Sequence, residues 1–326
     1  MSAKLENHAA DQRASTLPPC PVCGSGTQRI RTVTPELTRG ALAEYFGGFS
    51  LASCRDIGAY SVLRCQRCAL EYADPPRPGS SAFYEELGKQ PGYYPSNRWE
   101  WGIAIEELRK NSAGSLIEVG CGAGAFLKKA ADALSWRTTG IDINPDAVAN
   151  CRAAGLQAYC ETIEEHLRRF GAPPYDCAVA FHCLEHVENP LLFANSLFSL
   201  VRPGGLMLIS TPLSPMSFER RWHDPLNNPP HHLTRWNEKS YIELAHQLHA
   251  GFRVLSPPAG SLLGRAGLAI ALAIYGTPRK VGRLQIWSGP LLHPIEFRRE
   301  FAHQLHRPHV NSRAAGDVIL GVFQKR

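Results

Sequence analysis

At 326 residues, 44% hydrophobic and 20% charged, the chain is long enough to bury a full core, and one large globular domain with an accessory piece is expected. Its net charge of +6 is too mild to single out nucleic acid, anionic lipid or acidic substrates as partners. No run reaches the roughly 18 to 20 apolar residues of a membrane span, and Met1 to Thr16 is polar without a secretion-signal core, so an intracellular, cytoplasmic location is expected.

Residues 1–17 are expected to be a disordered tail. Cys20-Pro21-Val22-Cys23 and Cys65-Gln66-Arg67-Cys68 follow, two tight knuckles with 41 residues between them. Each can present two thiolates to one ion. The pattern predicts a structural Zn²⁺ held by Cys20, Cys23, Cys65 and Cys68 in a small ribbon-like module over residues 18–75, a closed site with no room for catalytic water. The competing account, that these are merely small buried apolar residues, does not explain two coincident Cys-x-x-Cys pairs. With few apolar residues of its own, the module depends on the ion for its fold. Asp74 to Gly79 reads as a stiff linker, and residues 76–111 carry the chain through Tyr93-Tyr94 into an amphipathic helix over Trp99 to Lys110.

From residue 112 onward, strand and helix patterns alternate, which predicts an α/β doubly wound sheet of seven strands in a domain over residues 112–326. Leu116 to Val119 is a buried parallel strand. Gly120-Cys121-Gly122-Ala123-Gly124 is a turn in which missing Cβ atoms let a ligand lie against the backbone, and a helix starts at Phe126. Thr138 to Asp142 is the second strand, and an acidic side chain at its tip can accept hydrogen bonds from a ribose. A helix over Pro145 to Ala154, a third strand over Leu156 to Cys160 and a fourth over Tyr175 to Phe181 come next. A helix over Asn189 to Val201 is expected to stop at Pro203-Gly204-Gly205, before a fifth strand over Leu206 to Pro212. An irregular loop over Leu213 to Trp236 leads to a helix over Glu238 to Leu248, a strand over Gly251 to Ser256 and a last strand over Asp317 to Gln324. Residues 258–315 form an insertion where a short connection would do. Its apolar Ser261 to Tyr275 segment, followed by Arg279, Lys280 and Arg283, is read as a lid, a homodimer face or a membrane-surface contact.

Glu118-x-Gly120-x-Gly122-x-Gly124 departs from the dinucleotide fingerprint and resembles the first motif of class I S-adenosylmethionine (SAM) dependent methyltransferases. Leu184-Glu185-His186-Val187 is similar to a segment of small-molecule methyltransferases, and the strand order agrees. The resemblance covers about residues 112–257 and the last strand. It implies a Rossmann-like methyltransferase sheet and a SAM pocket formed by Glu118, Gly120, Gly122, Gly124, Asp142, Ile143, Thr162 and His182, with Tyr94 over the SAM carboxylate; aromatic packing between modules is an equal alternative for Tyr94. In ubiquinone-biosynthesis O-methyltransferases, a glutamate stands where this chain has His182 and supports a divalent metal. Zinc-bearing sugar C-methyltransferases have a Glu-His pair in the loop after the fifth strand, which His231-His232 matches in its second member. The candidate catalytic residues are His232, His186, Glu185 and His231, at neighbouring strand ends, with His232 first as general base. The expected acceptor is a small molecule, a sugar, polyketide-like or lipid-linked metabolite. The alternative is an RNA methyltransferase whose zinc module grips nucleic acid. The module's six arginines against five acids are a thin footprint for that task.

Overall fold

The computed structural model describes residues 17–46, 49–90, 93, 95–111, 113–171, 175–219, 224–276, 282–310 and 313–326. The expected tail up to residue 16, Tyr94 and the Arg279-Lys280 pair lie outside the described residues. At the N-terminal end, β1 (Thr27–Val33), β2 (Tyr60–Cys65) and β3 (Glu71–Asp74) form an antiparallel meander, with α1 (Pro35–Phe46) between the first two. Leu42, Phe49, Phe83 and Leu87 pack together beside it, the last two from α2 (Ser81–Gly88). Then α3 (Trp99–Leu108) lays Trp101, Ala104, Ile105 and Leu108 against the face of the main sheet.

The main sheet begins with β4 (Gly114–Val119), whose Ser115 to Val119 are all buried. Apolar residues on both faces are what a strand covered by helices on each side requires. The chain continues through α4 (Ala125–Ala133), β5 (Trp136–Asp142), α5 (Pro145–Ala153), β6 (Ala158–Cys160), α6 (Ile163–Phe170), β7 (Tyr175–Phe181), α7 (Pro190–Ser199) and β8 (Val201–Pro212). One expectation is corrected here: α7 ends at Ser199, and Pro203-Gly204-Gly205 lies inside β8 rather than stopping the helix. Pairing with β7 shifts register between Tyr175 and Cys177, and this irregularity accommodates the proline and glycines. A Cβ on Gly205 would stand 2.8 Å from the carbonyl oxygen of Asp176.

A short β9 (Thr234–Arg235) pairs not with the main sheet but with β3, Tyr72 opposite Thr234, making a four-stranded sheet ordered β1-β2-β3-β9. The loop after β8 is thereby fastened to the N-terminal module. α8 (Glu238–Gln247) and β10 (Gly251–Leu255) follow. The insertion is a group of three helices, α9 (Leu262–Tyr275), α10 (Arg283–Leu292) and α11 (Pro294–Leu305), with a small hairpin of β11 (His309–Val310) and β12 (Arg313–Ala314). The last strand, β13 (Val318–Gln324), runs antiparallel to β8 and completes the order β10-β13-β8-β7-β4-β5-β6. The chain leaves β4 toward β5 and β6 and returns to β7 and β8 on the other side. Their carboxyl ends therefore open a crevice at the switch point, where open α/β sheets take ligands.

Candidate active site

The cofactor side of the crevice is set by the turn after β4. Gly120, Gly122 and Gly124 have φ of 72°, 52° and 81°, a left-handed backbone that strains any residue with a Cβ. At Gly120 the constraint is doubled, since a Cβ would meet Cys183 Sγ at 2.4 Å. Asp142, at the tip of β5, accepts the amide N–H of Gly122 at 2.8 Å and that of Asn144 at 2.9 Å, one on each carboxylate oxygen. A carboxylate has about four acceptor positions, so roughly two remain for ribose hydroxyls. Glu118 is 4% exposed and its Oε2 has no hydrogen-bond partner. Burial, reinforced by the Asp142 charge, pushes its carboxyl well above the usual range. Ile143 is 77% exposed, a flat apolar surface at the strand tip. A cradle of glycines, an orphaned acid behind it and an open apolar edge fit a nucleoside ligand with a charged amino-acid tail.

Two residues expected on this side are held otherwise. Thr162 caps α6, its hydroxyl accepting Glu165 N–H while Glu165 returns to the Thr162 amide. His182, in a left-handed backbone with φ 53°, bonds Glu100 through Nε2 at 2.9 Å. Although burial alone would lower it, the Glu100 hydrogen bond and the nearby Glu185 raise the imidazole above its ordinary value. Glu100, which sequence reasoning did not single out, lies buried in α3 and is missed because nothing local distinguishes it from a solvated helix glutamate.

The other side of the crevice gathers Glu185, His186, His231 and His232. His186 belongs to a short 3₁₀ turn, Leu184–His186, ahead of the following helix, which Asn189 and Pro190 open. Its Nδ1–H donates to the carbonyl of His231 at 2.7 Å, which ties the end of β7 to the loop after β8. The imidazole centroids of His186, His231 and His232 are 4.5 to 4.7 Å apart. His232 Nδ1–H donates to Asn227 Oδ1 at 2.9 Å, and Asn227 in turn is held by Glu219. Burial pushes His231 and His232 well below the ordinary histidine range, and the neighbouring imidazoles add to the effect. Both are neutral at pH 7. Glu185 is 1% exposed, and neither of its oxygens has a hydrogen bond.

The rings of Phe83, Tyr84 and Tyr93 border His231 at 5.6 to 6.5 Å between centroids. The N-terminal module, extended by α2 and the segment after it, thus walls this side of the crevice. It is fastened there by Ala73 N–H to Leu233 O at 2.9 Å, Gly79 N–H to Pro230 O at 3.1 Å, Asn237 Nδ2–H to Ala69 O at 2.8 Å and an ion pair of Arg235 with Glu71. Deeper in the module the Cys20–Cys68, Cys23–Cys65 and Cys23–Cys68 sulfurs are 3.7, 3.4 and 3.9 Å apart. Four thiolates about 2.3 Å from a tetrahedral Zn²⁺ stand about 3.8 Å from each other, so the set fits that ion. Backbone N–H groups of Arg67 and Cys68 point at Cys65 Sγ, as they do where sulfur carries charge.

A parallel sheet with one reversed strand, a glycine cradle after its first strand and an acid on its second define a Rossmann-like transferase class. The sequence profile of the Methyltransferase domain family matches residues 98–256, and this part of the chain is a class I SAM-dependent methyltransferase domain. A probable SAM-dependent methyltransferase of Mycolicibacterium smegmatis is 30% identical over 169 residues, 50% of this chain and 63% of that protein. A ubiquinone biosynthesis O-methyltransferase of a Caulobacter species is 31% identical over 101 residues, 29% of this chain and 40% of that protein. The chain thus spans between 40% and 63% of the length of these relatives. A SAM-dependent methyltransferase structure from Archaeoglobus fulgidus overlays 69% of this chain and 94% of that one, at TM-score 0.46 and 14% identity.

Proposed function

We propose that the protein transfers the methyl group of SAM to a hydroxyl oxygen of a small-molecule acceptor. The observation that carries this reading is the cluster of neutral imidazoles at 186, 231 and 232, the last two buried and the first half-buried, gathered at the ends of β7 and β8. The sulfonium makes the methyl carbon electrophilic, so the protein's task is to align the acceptor in line with it and remove the acceptor's proton. SAM is held by Glu118, Gly120, Gly122, Gly124, Asp142 and Ile143, and the proton leaves through the histidine cluster, His232 first. Relatives named for O-methylation support an oxygen acceptor over carbon or nitrogen. Residues 18–75 act as a zinc-held module whose task is to fix the acceptor loop, since β3 pairs with β9. The insertion forms the rim: Gln304 of α11 donates to the carbonyl of Ser217 in that loop at 2.6 Å. Among the described residues no helix is long and apolar enough to cross a membrane.

The test is methyl transfer from deuterium-labelled SAM to a panel of phenols, hydroxylated polyketides and sugars, read by mass spectrometry. With an accepted substrate, His232→Ala is expected to lower kcat about 10² to 10⁴-fold, the scale for losing a general base, while SAM affinity stays near wild type. Transfer to RNA and to no small molecule overturns the acceptor class.

A further inference from the structure

We propose that His186, His231 and His232 form a metal site for one divalent first-row transition ion, with a coordination position open to an oxygen of the acceptor. One ligand atom from each imidazole falls within 4.8 Å of the other two, close enough for a single ion to reach all three. The tautomers are set for it. His186 and His232 both spend Nδ1–H on an oxygen, the His231 carbonyl and Asn227 Oδ1, and this leaves an Nε2 lone pair on each. Outer hydrogen bonds of this kind are what orient metal-binding histidines. His231 Nδ1 is buried without a hydrogen-bond partner, and both oxygens of Glu185 are in the same state, with Oε1 3.9 Å from His232 Nε2. Three imidazole acceptors thus converge on one spot, an arrangement that a cation would satisfy.

The donor set names the class of ion. Three neutral nitrogens suit Zn²⁺, Co²⁺, Ni²⁺ or Fe²⁺ and do not suit Mg²⁺ or Ca²⁺, which take oxygen ligands. Three protein ligands, as opposed to the four thiolates of the N-terminal module, leave a fourth position for a substrate atom. His182 takes no part, because Glu100 holds its Nε2 and its Nδ1 faces Glu185 Oε1 at 3.2 Å. The site rests on the function proposed above and refines it in one respect. The acceptor hydroxyl binds the ion, its proton passes to the Glu185 carboxylate, its oxygen bonds the methyl carbon, and the carbon–sulfur bond breaks to release S-adenosylhomocysteine (SAH). His232 then acts through the ion.

The experiment uses the full chain, loaded with Zn²⁺, desalted and analysed by metal mass spectrometry. Two ions per chain are expected, falling to one in His232→Ala and in His186→Ala, with unchanged SAH affinity showing that each variant is folded. Co²⁺ added to protein that has zinc only in its cysteine site should give visible bands without thiolate charge transfer. Asn227→Ala, which frees His232 from its orienting partner, should weaken Co²⁺ binding about 10 to 100-fold. One ion per chain in the wild type, or a second ion that survives both histidine substitutions, overturns the site. If His232→Ala abolishes transfer in a protein that binds a single ion, the metal site falls and the imidazole-base reading stands. If the second ion binds and no hydroxyl is methylated, the metal site stands and the acceptor reading falls.

Discussion

Replacing Gly120 with alanine tests the packing that joins the two halves of the crevice. The substitution meets two separate penalties. With φ at 72°, an alanine there carries the left-handed strain of about 1 to 2 kcal/mol. Its Cβ would also stand 2.4 Å from Cys183 Sγ, a distance no pair of heavy atoms tolerates, and relief by moving Cys183 costs the roughly 1 to 3 kcal/mol of overpacking. The sum is about 2 to 5 kcal/mol of folding stability. Cys183 immediately precedes the Leu184–His186 turn, so the displacement reaches the acceptor side as well as the SAM side. The two terms separate in a double variant: in Cys183→Ala the remaining Cβ is 3.8 Å from the new methyl, an ordinary contact. Gly120→Ala/Cys183→Ala should therefore recover the overpacking part and keep the backbone part, a coupling of about 1 to 3 kcal/mol in urea denaturation. SAH calorimetry on the same proteins should show weakened binding in Gly120→Ala and partial recovery in the pair. A coupling near zero would mean that Cys183 does not press on the turn, and the account of the crevice would be wrong.

Asp142→Ala removes an acceptor from the SAM ribose and from the Gly122 and Asn144 amides, and SAM affinity should fall by about 1 to 3 kcal/mol in calorimetry; unchanged affinity would show that the strand tip does not hold the cofactor. Cys65→Ser should release zinc and, because β3 pairs with β9, lower hydrogen-exchange protection at Leu233 to Arg235, whereas zinc-free protein with native protection would refute the module's role. Burial raises the Asp224 carboxyl from its ordinary 3.8 to about 6, so its folded pKa lies above its unfolded one. The stability it permits is then fully present below about pH 3.8 and lost as pH rises through about 6, by at most about 3 kcal/mol. Asp224→Asn keeps an acceptor for Leu226 N–H and should match wild type in melting temperature near pH 4 and exceed it at pH 7; a constant difference across that range would refute the assignment.

The sheet was legible in the sequence because strands such as β4 and β7 are short apolar runs and its glycine turn has local causes: a left-handed backbone at 120, 122 and 124 admits little besides glycine. The same holds for the cysteine pairs, whose spacing is itself the geometry of a knuckle. Pro203-Gly204-Gly205 misled, since proline and glycine signal a helix stop from local conformation alone, while pairing with β7 draws them into a strand. The acceptor side lies further from local reading. That His231 and His232 stand against His186 depends on a loop whose course is set by pairing of Thr234 with Tyr72, 162 positions earlier in the chain. Glu100 and Asn227 are ordinary polar residues until folding places them 2.9 Å from His182 and His232. Residue type and spacing determined which atoms can bind and react, because those are properties of short segments. Which of them meet, which tautomer each imidazole takes and which carboxylate is left without a partner were decided by tertiary packing, because burial and hydrogen bonding arise only between segments brought together by the fold.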